Sequence, residues 1–450
     1  MLNLQQHIKA ALLQQLQQHP PAELRLVLAY SGGLDSQVLL HLLAPLCQQM
    51  AIPFSAVHVH HGLNVKADSW AAFCQEQCQR RQVDFNIRYV QLTKPGNIEQ
   101  QARTARYEAL ADFISTSNTL LLTAHHADDQ LETVLLALKR GAGVTGLSAM
   151  PAVRAFAAGK LVRPLLAISR QQLHDYAHSV QLAWIDDDSN QNIDFDRNFL
   201  REQVTPILKQ RWPALLQTVS RSLQHLQNTA ELADFYTKQA LKQCLFNNRL
   251  NLQQLHQFHP LQQDLVLRSW LGLAGLNPET QWLTTLKQQV INARQDAMPQ
   301  LQLGKLQIRR YQHWLYCLAE RPEILNDENL KLNVGENLQL ANGLGYFTWD
   351  KEPTAHSLPV AGSATAFNLA FGLLSSVFKP AGRPGKPLKQ WFKLWQVPPW
   401  QRTRVPLLFH SGELQLVAGY ASVFKSAQAT VWLNWQPASD ELVYPLNLHD

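Results

Sequence analysis

Ser31-Gly32-Gly33-Leu34-Asp35-Ser36 lies between two apolar stretches, Leu24-Arg25-Leu26-Val27-Leu28-Ala29-Tyr30 before it and Gln37-Val38-Leu39-Leu40-His41-Leu42-Leu43 after it. The first reads as a buried strand and the second as a helix. A glycine-rich turn between strand and helix directs free backbone N–H groups outward at the positive end of the helix dipole, where anions bind. Gly32 and Gly33 allow close backbone approach because no Cβ intervenes. Ser31 and Ser36 add hydroxyl donors. Asp35 is the odd member, since a carboxylate repels phosphates. It makes sense if it helps to hold Mg²⁺, which takes carboxylate and phosphate oxygens together. The simpler alternative is an ordinary Gly-Gly turn with Asp and Ser as helix caps.

Outward from this loop, strand-like and helix-like patterns alternate from Leu24 to about Ile185. Apolar runs occur at Phe54–Val59, Phe85–Leu92 and Leu120–Thr123, and helical stretches near 66–81, 98–117, 128–139 and 169–181. Such alternation implies an α/β domain with a parallel sheet and helices on both faces. Ligands then bind beyond the carboxyl ends of the strands, where the loop would sit. From about 215 to 315 the pattern reads as mostly helical and rich in Gln and Leu. After about 325 strand-like pieces return, and a small α+β domain is expected to close the chain. The expected division is 1–215 catalytic, 216–325 helical, 326–364 linker and 365–450 small C-terminal domain.

The chain has 450 residues and a formal charge of +6, a mild indication of a polyanionic partner. Its five cysteines, Cys47, Cys74, Cys78, Cys244 and Cys317, are odd in number and scattered, which suggests reduced thiols in a cytosol. Cys74 and Cys78 share a helix face but lack nearby third and fourth ligands, and read as structural. Residues 1–19 fit an amphipathic helix better than a signal peptide, and no apolar run approaches a membrane span. A cytoplasmic protein without membrane attachment is expected.

Several other segments carry chemistry. Thr123-Ala124-His125-His126-Ala127-Asp128-Asp129-Gln130-Leu131-Glu132-Thr133 follows an apolar strand and opens a helix. Asp129 and Glu132 are three apart and Asp128 and Glu132 four apart, so either pair can share a face. Carboxylates there can bind Mg²⁺, grip an ammonium or accept a proton. Helix capping accounts for Asp128 but less well for Glu132 and the histidines. Arg103 and Arg106 share a helical face, suited to a phosphate or carboxylate. His58, His60 and His61 end the second strand at the same edge. The Gly141-Ala142-Gly143-Val144-Thr145-Gly146 stretch follows a helix, so a dinucleotide-binding reading fails on context. Arg197 and Arg201, four apart, either contact nucleotide phosphate or RNA, or pair with preceding acids.

The Ser31–Ser36 loop resembles the pyrophosphate loop of the N-type ATP pyrophosphatases, the PP-loop superfamily. It is not a Walker A loop, because the Gly-Lys-Ser/Thr ending is absent. Within that superfamily the segments together resemble the tRNA(Ile)-lysidine synthases. The matching pieces are His60-His61-Gly62-Leu63, the Glu99…Arg103…Arg106-Tyr107 helix and His125-His126-x-Asp128-Asp129-Gln130-x-Glu132-Thr133. They include the Gly141–Leu147 loop, Arg163-Pro164-Leu165-Leu166, Asp188-Ser189-Asn190 and Arg197-Asn198 with Arg201. In the tail, Lys389-Gln390-Trp391-Phe392, Val397-Pro398-Pro399-Trp400 and Arg402-Thr403-Arg404-Val405-Pro406 match, except that the family often has Asp where Thr403 stands.

The resemblance implies an adenine nucleotide hydrolase-like N-terminal fold. It also implies an ATP-dependent ligase that joins L-lysine to C2 of the wobble cytidine in an isoleucine tRNA with the anticodon CAU. Cytosine O2 is adenylated with loss of pyrophosphate, and the lysine ε-amine then expels AMP. Ser31, Gly32, Gly33, Leu34, Asp35 and Ser36 would bind ATP, Asp35 would hold Mg²⁺, and Asp35, Arg106, Asp129, Glu132 and Arg201 are the expected catalytic residues. The helical and C-terminal domains would bind tRNA, with a homodimer left open. The tail agrees with this by itself. Lys379, Arg383, Lys386, Lys389, Lys393, Arg402 and Arg404 interleave with Trp391, Phe392, Trp395 and Trp400 and no acid intervenes. RNA contact is expected of the basic residues and a core role of most tryptophans. A tRNA 2-thiolation enzyme of the same superfamily would need catalytic cysteines, often in a Cys-x-x-Cys pair, which this chain lacks. A catalytically silent RNA-binding protein would not need the intact loop.

Overall fold

The computed structural model describes residues 4–16, 23–62, 64–91, 98–187, 192–294, 297–320, 324, 330–354, 357–361 and 364–437. Its internal contacts divide the chain into two units, Met1–Ala233 and Asp234–Asp450.

The first unit carries helices α1 (Leu4–Leu16), α2 (Leu34–Met50), α3 (Ala67–Arg80), α4 (Ile98–Ala111), α5 (Ala127–Lys139), α6 (Val144–Leu147), α7 (Arg170–Ser179), α8 (Asp196–Phe199) and α9 (Thr205–Arg211). Its strands are β1 (Arg25–Ala29), β2 (Phe54–His60), β3 (Asp84–Tyr89), β4 (Thr119–Leu122), β5 (Val153–Phe156) and β6 (Gly159–Val162). They form one sheet in the order β3-β2-β1-β4-β6-β5, parallel throughout except for β5 at the edge. The alternation read from the sequence is therefore present. The helix expected over 98–117 stops at Ala111, and a turn then leads to β4.

Why both faces are covered follows from the two-residue repeat of a strand. Leu26, Leu28, Leu120 and Leu122 point into one core with α1, α2, α3 and α7. Val27, Val57, Leu121 and Leu161 point into the other, where Leu110 of α4 and the following Ile114 cover them. Strand order runs outward from β1 in one direction to β2 and β3 and in the other to β4 and β6, so the switch point lies between β1 and β4. Crevices at such points are where open α/β sheets bind ligands. The two segments that leave them are Ser31–Ser36 and Thr123–Asp129.

In the second unit, the region read as mostly helical contains helices Pro260–Leu273 and Thr280–Leu286, and also a sheet. Leu245–Phe246, Arg249–Asn251, Trp314–Ala319, Leu306–Tyr311 and Gln300–Leu303 pair antiparallel around a core that includes Trp270. Two of these strands have only two or three residues, and Gln300–Leu303 consists entirely of helix-compatible Gln and Leu, which hid their period. The expected linker at 326–364 needs correction. Lys331–Asn333 pairs with Ala366–Ala370, while Tyr346–Asp350 and Leu358–Ala361 pair with Ala429–Gln436. Phe347 and Val360 are fully buried there. The segment belongs to the core of the C-terminal region, with Gly343 and Gly345 in the turn before Tyr346–Asp350.

In the tail, Trp391 and Phe392 are buried, Trp395 and Trp400 are half-buried, and Lys379, Arg383, Lys389 and Lys393 are exposed. Arg402 donates to the Val397 carbonyl at 2.9 Å and Arg404 to the Asn342 carbonyl at 2.7 Å. Both arginines thus have backbone acceptors where the family's usual aspartate is replaced by Thr403. All five cysteines are buried and free. Among the described residues no helix is long and apolar enough to cross a membrane.

Candidate active site at the switch point

The loop after β1 leads directly into a helix, as the sequence suggests. Gly33 is the N-cap of the 17-residue helix α2 in an extended conformation, and no side chain caps the helix there. Its first N–H groups therefore face the space above the sheet. Ser36 Oγ donates to the Gly33 carbonyl at 3.0 Å and lies 3.1 Å from Ser31 Oγ, which closes the loop on itself. Gly32 has φ +82°, and a Cβ there would meet Ile185 Cδ1 at 2.5 Å and Cys74 Sγ at 2.8 Å. The Ile185 N–H also donates to the Gly32 carbonyl at 3.0 Å. So Cys74, pushed up to about 12 by its burial, is an inert floor for the loop and not a nucleophile. Gly32→Ala is expected to cost on the order of 1–3 kcal/mol through strain at a left-handed position. That should lower Tm by roughly 2–10 °C and weaken ATP binding; an unchanged melting curve would remove the argument.

Asp35 is where a metal would sit. Its Oδ1 is buried with no hydrogen-bond partner among the described residues, an arrangement that costs free energy unless a cation or donor arrives. Among the described residues no cluster of three or more His, Cys, Asp or Glu forms a metal site by itself. A lone carboxylate at an anion-binding loop is the donor set of an ion that takes its other ligands from phosphate and water, as Mg²⁺ does.

Across the crevice, His126 caps α5. Its N–H donates to Asp129 Oδ2 at 3.0 Å, and the Asp129 N–H donates back to His126 Nδ1 at 3.4 Å. Its Nε2 lies 3.6 Å from Asp35 Oδ2 and 3.5 Å from Asp129 Oδ2; burial acts to lower the imidazole's pKa, but Asp129, Asp35 and Asp128 outweigh it and raise it. His126 thereby links the loop acid to the helix acid. The sequence singled out His126 without giving it this part.

The three acids of α5 have different partners. Asp128 accepts from Lys209 Nζ at 2.6 Å and from the Arg170 N–H at 2.8 Å. Glu132 accepts from Arg197 Nε at 3.0 Å and from Arg201 Nε at 2.9 Å, with its side chain 1% exposed. Arg201 Nη2 also reaches Asp129 Oδ1 at 3.2 Å. Burial acts to raise the Asp129 carboxyl, but His126, His125 and Arg197 outweigh it and hold the group below the usual carboxylate range. Asp129 is thus an ionised acid facing Asp35, whereas Asp128 and Glu132 are engaged elsewhere.

The spacing of Arg197 and Arg201 was read two ways, and their guanidiniums face an acid of α5 rather than open solvent. A π-helical turn, Leu200–Val204, follows α8 and carries Arg201. Neither Lys209 nor Arg170 gave any signal in the sequence, because each meets Asp128 across a gap in the chain. Arg106 on α4 remains exposed. Beside it lies His61, whose two ring nitrogens are buried without partners among the described residues; burial first, and then the Arg106 charge, push its pKa down to about 4. The glycine stretch 141–147 becomes a short turn capped by Gly143 and the single helical turn α6. Leu63 and Asp188-Ser189-Asn190 fall outside the described residues, and nothing is assigned to the Glu99 side chain.

A switch-point crevice with a Ser-Gly-Gly-Leu-Asp-Ser loop on one side and an acid-bearing helix N-terminus on the other defines a PP-loop domain. A family model described as PP-loop domain matches residues 4–208. Models described as TilS substrate binding domain and TilS substrate C-terminal domain match residues 250–316 and 367–435. The chain is 40% identical over 413 residues to the tRNA(Ile)-lysidine synthase of Serratia proteamaculans, covering 90% of this chain and 93% of that one. It is 42% identical over 401 residues to that of Pectobacterium atrosepticum, covering 88% and 90%. The chain belongs to the tRNA(Ile)-lysidine synthase family.

Proposed function

We propose that this enzyme uses ATP and Mg²⁺ to join L-lysine to C2 of the wobble cytidine of the CAU-anticodon isoleucine tRNA, in the cytoplasm. The observation that carries the reading is the facing pair of acids, Asp35 on the phosphate loop and Asp129 on α5, bridged by His126. One acid is suited to the nucleotide's metal and the other to an ammonium.

Ser31–Ser36 hold the β and γ phosphates through backbone N–H groups and hydroxyls. Asp35 would hold Mg²⁺ there, and the ion would supply neutralisation of the charge on pyrophosphate. Cytosine O2 bonds to the α-phosphorus as the bond from that phosphorus to the pyrophosphate breaks. The lysine nitrogen then bonds to C2 and AMP leaves with the former O2. An ε-amine has a pKa near 10.4, so roughly one in a few thousand is neutral at pH 7. Asp129 pairs with this ammonium and positions it, and the nitrogen's proton passes to water as the bond to C2 forms. Glu132 fixes Arg197 and Arg201, which orient Asp129 and balance the charge of the site. Arg106 is free to meet a phosphate or the lysine carboxylate. The regions 250–316 and 367–435 bind the tRNA body, with exposed Lys379, Arg383, Lys389 and Lys393 on its phosphates.

The test is incubation with ATP, Mg²⁺, labelled lysine and the CAU isoleucine tRNA. ATP-dependent label in the RNA, absent when the wobble cytidine is replaced, is the expected result. tRNA-dependent cleavage of ATP to AMP with no lysine incorporated would redirect the search to another nucleophile.

A further inference from the structure

Between α4 and the β5–β6 hairpin lies a cavity of about 420 Å³, open to solvent and lined by Gln100, Arg103, Thr104, Tyr107, Arg154 and Phe156, among others. Its volume falls in the range of small-ligand sites, roughly 300–1,000 Å³. None of the reaction steps above uses it.

The walls come from two elements with separate histories. α4 contributes Arg103, Thr104 and Tyr107, while the β5–β6 hairpin at the sheet edge contributes Arg154 and Phe156. Tyr107 and Phe156 pack edge to face, with centroids 5.8 Å apart, on the margin of the core under α4. The guanidinium carbons of Arg103 and Arg154 lie 5.4 Å and 5.5 Å from the Tyr107 ring centre. Both arginines are exposed, and among the described residues neither has an ion-pair partner. Two rotamer-rich side chains held over one ring at an open cavity present flat, charged surfaces to whatever enters. Glu108 is the single acid in the lining. Arg103 also lies close enough to the crevice for its charge to act on His125.

Flat cationic planes above an aromatic floor are what a single-stranded nucleobase stacks on, and guanidiniums also reach its adjoining phosphate. We propose that this cavity is a second nucleotide site, which receives the base next to the reacting cytidine in the anticodon loop, stacked against Arg103 and Arg154. The inference rests on the reading of the substrate as a tRNA anticodon. It assigns the β5–β6 hairpin a part in holding the loop while the cytidine reacts.

The experiment measures tRNA affinity by fluorescence anisotropy with the full chain, alongside KM and kcat for lysine incorporation. Arg154→Ala should weaken tRNA binding about tenfold and raise KM to match, with kcat at saturating tRNA within twofold of wild type. Arg154→Lys should lose as much, because an ammonium has no plane to stack on. Thr104→Trp, which keeps both arginines and fills the cavity, should do the same. A tRNA made abasic at the captured neighbouring position should bind wild type and Arg154→Ala equally, since the two changes remove one contact. Wild-type affinity in Arg154→Lys would overturn the stacking role, as would abasic tRNAs at both neighbouring positions that weaken Arg154→Ala as much as wild type. If wild-type protein bound the tRNA but added no lysine, the ligase reading would fail while this binding comparison still stood.

Discussion

Asp35→Ala is expected to abolish both cleavage of ATP and incorporation of lysine, by about 10³-fold or more, while binding of tRNA survives. The reasoning starts from one orphaned atom. Asp35 Oδ1 is buried without a partner among the described residues, while Oδ2 faces His126. A carboxylate placed so, at a helix N-terminus built to attract phosphate, adds negative charge where negative charge is about to arrive. That is tolerable only with a cation between the two. Removing the acid removes the only protein ligand proposed for that cation, and stabilising charge as it develops on a leaving group is commonly worth several kcal/mol. Chelation of Mg²⁺ in the wild-type enzyme should have the same effect. tRNA affinity should hold, because Asp35 sits in the loop and not among the exposed basic residues. Normal pyrophosphate release by Asp35→Ala would sink the assignment outright. Asp35→Asn sharpens the test, since it keeps the shape and one oxygen but not the charge, and should recover little.

The parts of this site that the sequence made legible are those built by neighbours in the chain. Strand, glycine loop and helix are contiguous from Leu24 to Leu43, so the composition of Ser31–Ser36 states its own geometry. The acids of α5 fall within a few residues and their common face follows from helical spacing. Partner choice was not legible. Asp128, Asp129 and Glu132 are equivalent to a reader of spacing alone, and what separates them is Lys209, Arg197 and Arg201, which lie 65 to 81 residues further along. The same limit applies to the strands of 326–364. Elements of two to five residues contain at most one or two turns of the alternating pattern, and their burial depends on strands near 366 and 430. Arg154 had no local signal either, since its meaning comes from Tyr107 on another element.

Those distant partners set up the second large effect, at Asp129. Asp129→Ala is expected to abolish lysine incorporation with tRNA binding intact, and to do so differently from Asp35→Ala. If Asp129 holds the ammonium, the variant should still release pyrophosphate once per bound tRNA and then stall, with AMP release no longer driven by lysine. A burst of pyrophosphate with no lysine-dependent AMP is therefore the expected signature. Loss of the burst as well would move Asp129 to the metal side of the crevice with Asp35. Glu132 provides the contrast. Its carboxylate is enclosed by Arg197 and Arg201, so Glu132→Ala leaves partly buried Arg197 without its carboxylate and Arg201 with Asp129 alone, and breaking a buried pair of this kind costs about 3–5 kcal/mol. Glu132→Ala should consequently lose melting temperature together with activity, whereas Asp129→Ala, which retains Glu132 beneath Arg201, should lose activity with a much smaller change in melting. Equal destabilisation of the two variants would show that Asp129 is part of the same scaffold and not the acid that meets the substrate.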